Sequence, residues 1–128
     1  MNLLLDTHVW LWWLFDDDRL SARARAMVAD PDNAVFVSAA SAWEVATKHR
    51  LGKLPSAQVL VQDMAGWVHR AGFRALPIDI VHAQKAGSWP SAHRDPFDRM
   101  LAAQSVLEQL PLLTKDAAFA QLGVATLW

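Results

Sequence analysis

The chain has 128 residues, with 12 Lys plus Arg against 13 Asp plus Glu for a net charge of −1, and it contains no cysteine. This length suits one core and a single domain over 1–128, while the absent thiols exclude disulfides, thiolate zinc sites and cysteine nucleophiles and fit a reducing compartment. The balanced charge excludes a basic protein that coats nucleic acid, though not an enzyme with a local basic rim, and the lack of any signal-like or membrane-spanning stretch makes a cytoplasmic protein with no membrane association the expectation.

The first element is an apolar run, Leu3-Leu4-Leu5, that stops at Asp6. It is too short for a membrane span and reads as a parallel strand covered on both faces, which leaves Asp6 at the carboxyl edge where open α/β sheets bind ligands. From Thr7 to Phe15 follows a helix that is apolar on every side. Such a helix is covered all round, either inside the domain or by a second chain meeting Trp10, Trp13 and Leu14. Asp16, Asp17 and Asp18 at its end form a solvated turn.

Ser21 caps a helix to about Asp30, and Ala34–Val37 is a second buried strand. The next helix opens around Ser38–Glu44, where Ser41 and Glu44 have capping-box spacing, and stops at Gly52. A helix from Pro55 to about Gly72 carries Val59, Leu60, Met64, Trp67 and Val68 toward the core, and 73–76 is a weaker strand. Asp79 caps another helix, and 87–93 is a loop. Asp95-Pro96-Phe97-Asp98 begins a long helix ending near Gln109. Leu110–Thr114 is a strand, Lys115-Asp116 starts a short helix, and 124–126 is a last strand. The alternation predicts an α/β/α sandwich with a central, mainly parallel sheet of four to five strands.

Asp6, Glu44, Asp98 and Asp116 each fall just after a strand or in a first helical turn, with Asp95 beside them. Each acid alone is explained by the helix N-terminus, which favours carboxylates. As a set they share one sheet edge, where like charges repel unless a cation sits among them. Carboxylates and water without thiols match Mg²⁺ or Mn²⁺, and such ions support phosphodiester hydrolysis. Lys48, Arg94 and Arg99 are candidate substrate-binding cations, alongside Arg50 and the more peripheral Lys53. His8, His49, His69 and His82 lack metal-ligand spacing and read as structural or solvent-facing, while His93 lies beside Arg94 within reach of a phosphate.

The blocks Leu-Leu-Leu-Asp-Thr-His, Ser-Ala-Trp-Glu, His-Arg-Asp-Pro-Phe-Asp-Arg-Met-Leu-Ala-Ala-Gln and Leu-Leu-Thr-Lys-Asp, in this order, resemble the PIN-domain ribonucleases. More narrowly, they resemble the VapC-type toxins of bacterial type II toxin–antitoxin pairs. The resemblance implies a PIN-like fold, an acidic pocket holding Mg²⁺ or Mn²⁺, endonucleolytic cleavage of RNA, inhibition by a cognate antitoxin, and a homodimer. It places Asp6, Glu44, Asp98 and Asp116 as the acidic quartet and Thr114 as the hydroxyl near the fourth acid. Asp95 matches an additional acid of the Asp-Pro-Phe-Asp subgroup, as ligand or as helix cap. Ala102, one turn beyond Asp98, leaves room above the pocket.

Two other phosphoryl-transfer classes fit less well. A receiver-type phosphoacceptor needs an aspartate ending a middle strand, which neither 35–38 nor 75–77 supplies, and a haloacid-dehalogenase-like phosphatase needs a second Asp where His8 stands. The remaining alternative is a PIN-fold binding module in which the acids are only caps.

Overall fold

The computed structural model describes residues 1–128. Its sheet has five strands, β1 (Asn2–Leu5), β2 (Ala34–Ser38), β3 (Arg74–Leu76), β4 (Leu112–Leu113) and β5 (Thr126–Leu127), in the order β3-β2-β1-β4-β5. Every pairing is parallel, with Leu3 opposite Val35 and Leu5 opposite Leu113 across the two centre-most ladders. The first strand of the chain is therefore the middle of the sheet. After β1 the chain builds β2 and β3 on one side, then crosses to β4 and β5 on the other, so the strand order reverses at the carboxyl end of β1. That crevice is where an open α/β sheet receives a ligand.

Leu3, Leu4 and Leu5 are fully buried because helices cover both faces. Alternation along the strand sends Leu5 into one layer with Val9, Trp10, Val37 and Val45, and Leu4 into the other with Leu101, Ala102, Leu112 and Phe119. The first layer draws on α1 (Thr7–Leu14), α2 (Ala22–Ala29), α3 (Ala39–Arg50), α4 (Gln58–Gln62) and α5 (Met64–Arg70). The second is built on α7 (Pro96–Glu108) and the short α8 (Ala118–Gln121), with α6 (Ile80–Ser88) packed along α7. No helix is long and apolar enough to cross a membrane.

Several boundaries follow the expected chemistry. Ser21 Oγ accepts from Ala24 N at 3.0 Å, and Asp79 accepts from His82 N while His82 Nδ1 accepts from Asp79 N, a closed capping box. Gly52, at φ +74°, ends α3 in the left-handed region that a side chain disfavours.

Four expectations are corrected. The Ser41–Glu44 capping box does not form: β2 runs to Ser38, whose Oγ accepts from Ala40 N at 2.9 Å, so α3 starts earlier and Ser41 lies inside it. The helix expected over 55–72 is instead a 3₁₀ turn (Pro55–Ala57) followed by α4 and α5, because Asp63 breaks the run and caps α5 by accepting from Gly66 N at 3.0 Å. Val59 consequently points outward. Trp10 is wholly interior, so it is no interface residue, and its indole Nε1 has no hydrogen-bond partner, whereas Trp13 and Leu14 stay partly exposed. Finally, Asp116 precedes α8 rather than opening it, and β5 falls at 126–127.

Candidate functional site

Asp6 occupies the N-cap position of α1 but makes no side-chain capping bond. Its carboxylate is left for the sheet edge, where Oδ2 accepts from Thr114 Oγ1 at 2.8 Å. The same hydroxyl accepts from Asp116 N at 3.0 Å, so one threonine at the end of β4 links the first acid to the last. Asp116 Oδ1 in turn accepts from Ala118 N, which fixes the turn leading into α8. Asp6 and Asp116 line a cleft of 340 Å³ with His8, Trp12, Arg19 and Lys115.

Glu44 enters from α3 and is buried, with Lys48 Nζ at 2.5 Å from its Oε2, an i,i+4 pair. Thr7 Oγ1 donates to Ser41 Oγ at 2.9 Å, tying α1 to the same turn of α3. Asp98 enters from the first turn of α7 and accepts from His93 Nε2 at 3.0 Å. Asp95 caps that helix, its Oδ1 accepting from Phe97 N and Asp98 N at 2.9 and 3.1 Å. The capping role weighed for Asp95 is thus filled, and its charge remains on the rim.

The electrostatics bind these acids into one group. Burial pushes Asp98 up to about 6 against the opposing hydrogen bond from His93, and the charges of Asp95, Asp6 and Glu44 push in the same direction as burial. Burial also raises Asp6, with Glu44 adding to it, although the Thr114 hydroxyl and His8 work the other way. Burial opposes the charge on Lys48, yet Glu44, Asp95 and Asp98 together hold its ammonium above the ordinary value. Desolvation and mutual repulsion thus make joint ionisation of these acids unfavourable unless a cation sits among them.

A hard divalent cation fits this donor set, which is all oxygen at its centre. No three of these acids bring an oxygen each within 4.8 Å of one another, a spacing that suits an ion keeping several of its waters. A tighter trio, Asp79, His82 and Glu108, exists elsewhere, but both imidazole nitrogens are spent: Nδ1 on Asp79 N and Nε2 on Glu108 at 2.8 Å. It joins α6 to α7.

Among the candidate cations, Lys48 lies at the acids and Arg94 is exposed on the loop before α7. Arg99 is corrected. Its guanidinium points back into the preceding loop, donating to the carbonyls of Ala86, Trp89, Ser91 and His93 at 2.6–3.1 Å, and no donor pair is left to meet a phosphate. His93, expected near a phosphate, contacts Asp98 instead. Sequence reasoning missed Arg19 and Lys115 on the cleft wall; Lys115 is signalled by its place beside Asp116, whereas nothing in the sequence points to Arg19. A larger cavity of 680 Å³ lies between α5 and β3, lined mostly by apolar side chains including Trp10, Val68 and Phe73, and carries none of the acids.

Comparison with known proteins gives these features a context. The PIN domain description matches residues 3–125. Ribonuclease VapC16 of Mycobacterium tuberculosis is 38% identical over 84 residues, 61% of this chain, and the match spans only 60% of that relative's length. Among solved structures, VapBC2 from Rickettsia felis bound to a promoter DNA fragment superposes with a TM-score of 0.71 at 13% identity, covering 100% of this chain and 98% of that one. FitAcB from Neisseria gonorrhoeae gives 0.67 at 23% identity, covering 100% and 97%. VapBC-1 from nontypeable Haemophilus influenzae also gives 0.67, at 15% identity over 99% and 97%. These structures share the fold of this chain.

Proposed function

Because the chain belongs to the PIN-domain family, we propose that it is a metal-dependent endoribonuclease, the toxin of a toxin–antitoxin pair, hydrolysing RNA phosphodiester bonds. The observation that carries the reading is the convergence of Asp6, Glu44 and Asp98 from three separate elements on one edge, with Asp116 joined through Thr114. Helix capping accounts for Asp95 and for Asp116 Oδ1, but not for the carboxylates of Asp6, Glu44 and Asp98.

In this reading Asp6, Glu44, Asp98 and Asp116 hold Mg²⁺ or Mn²⁺, directly or through its waters. When bound, the ion lowers the pKa of a water and stabilises the oxyanions of an in-line displacement. The chain's own groups prepare the site. Thr114 fixes the orientation of Asp6, His93 that of Asp98, and Lys48 pairs with Glu44. Arg94 is free to meet the RNA backbone.

A cognate antitoxin is the expected inhibitor, since the solved neighbours include VapBC and FitAB assemblies. A basic side chain from it would neutralise the surplus carboxylate charge in place of the ion. A homodimer is also expected, with the partly exposed Trp13 and Leu14 as apolar surface for a second protein chain.

The test incubates the purified chain with structured RNAs and Mg²⁺ or Mn²⁺, with and without EDTA, beside Asp98→Asn. Cleavage lost both to EDTA and to the substitution supports the reading. Cleavage by Asp98→Asn at the wild-type rate sinks the site assignment, and a melting temperature indifferent to Mn²⁺ favours a binding module.

A further inference from the structure

Trp43 and Phe97 immediately precede two of the site acids, Glu44 and Asp98, on α3 and α7. Their rings meet edge to face, with centroids 4.8 Å apart and planes at 74°. Trp43 nonetheless keeps 56% of its surface open to solvent. Lone exposed apolar residues are ordinary, and Ile80 and Val81 are such residues. Trp43 differs in being braced. Phe97 buttresses it, and the Phe97 backbone is itself pinned by its N–H bond to Asp95 Oδ1. An aromatic face fixed in advance costs little ordering when something lies on it.

What would lie there follows from the neighbourhood. A phosphodiester held at the acids by a cation, with Lys48 and Arg94 as the basic side chains there, would carry a base toward this ring, since Trp43 and Phe97 adjoin Glu44 and Asp98 in the chain. Bases have π faces whatever their identity, and stacking on indole is tolerant of sequence. A base inside a duplex has both faces covered and cannot reach. We infer that the Trp43–Phe97 pair is a stacking site for a nucleobase next to the scissile phosphate. This rests on the ribonuclease reading and adds a binding element to it. Trp43 is a substrate-binding residue that stacks on a base, and Phe97 is a positioning residue acting through it.

The test compares Trp43→Ala and Trp43→Phe with wild type, using a labelled short single-stranded RNA and an abasic oligomer with the same sugar–phosphate backbone. Affinity is read by fluorescence anisotropy in the Asp98→Asn background, and cleavage by gel in the active background. Trp43→Ala is expected to weaken binding of the base-bearing RNA about five- to hundredfold, as a lost base stack does. It should leave the abasic oligomer unaffected, and Trp43→Phe should restore most of the loss. Equal losses on both oligomers, or no loss on either, overturn the stacking site. So does a Trp43→Ala chain whose only change is weaker self-association in sedimentation, which would make the patch a protein interface. The two readings fail separately. Wild-type cleavage that survives Trp43→Ala unchanged leaves the ribonuclease intact and removes the stack, whereas undiminished cleavage by Asp98→Asn removes the acid site, and the effect of Trp43→Ala on cleavage in the active background then still reads the stack.

Discussion

Replacing Arg99 with Lys separates a scaffold role from a substrate role. The wild-type guanidinium donates from Nε to Ala86 and from its two Nη groups to Trp89, Ser91 and His93. An ammonium keeps the charge but not the fork, and reaches one or two of these carbonyls at most. Two or three lost bonds from a charged donor, each worth about 1 kcal/mol net because water reaches this part-buried loop, amount to about 2–3 kcal/mol. Against a total stability of about 5–15 kcal/mol that is a large share. With a urea slope of about 1–3 kcal/mol per molar, the unfolding midpoint should fall by about 0.7–3 M. Because His93 belongs to the freed loop, its bond to Asp98 should also loosen, read by NMR as a change in the His93 ring resonances at fixed pH. A midpoint unchanged in Arg99→Lys, together with weaker RNA binding, would refute the scaffold and return Arg99 to the substrate.

Three further outcomes are expected. Saturating Mn²⁺, at about a hundred times its dissociation constant, should stabilise the wild-type chain by about 2.7 kcal/mol, and Asp98→Asn or Asp6→Asn should abolish most of that shift in thermal melts. Asp98 is raised from 3.8 to about 6 in the folded chain, so between those values the native state binds more protons than the unfolded one. The metal-free protein should therefore gain stability from this residue as pH falls through that window, and urea titrations of Asp98→Asn should lose that gain. Ser38→Ala removes the α3 cap and leaves Gln104 Oε1 buried without its donor, a loss of about 2–3 kcal/mol to be read from the denaturation midpoint.

How legible the molecule was from its sequence varied with the range of the interactions involved. Leu3–Leu5 announced a strand buried on both faces because nothing polar interrupts it, and Asp6 announced a sheet edge by ending that run. The caps at Ser21, Asp79 and Asp95 were readable since each bond spans two or three residues. Ser41 misled because its spacing to Glu44 was right, while the start of α3 was set by how far β2 ran. Asp63 hid inside an apolar periodicity that continued in register on both sides of the break. Arg99 flanks the acids in a motif suggestive of phosphate, yet its partners are backbone carbonyls at the end of α6 and in the loop after it, whose path no side chain spells out. The inward turn of Trp10 was also invisible, since a helix apolar all round does not say which of its tryptophans the core takes.

The bond from Thr114 to Asp6 closes a span of 108 residues. Strand β1 waits at the centre of the sheet for a neighbour made only after almost everything else, and α7, which carries Asp98, also comes late. A nascent chain on the ribosome that has not yet emitted β4 has its first acid exposed, its sheet half built and its last acid missing. The arrangement of acids at the sheet edge is therefore complete only once β4 and the residues after it have joined the sheet.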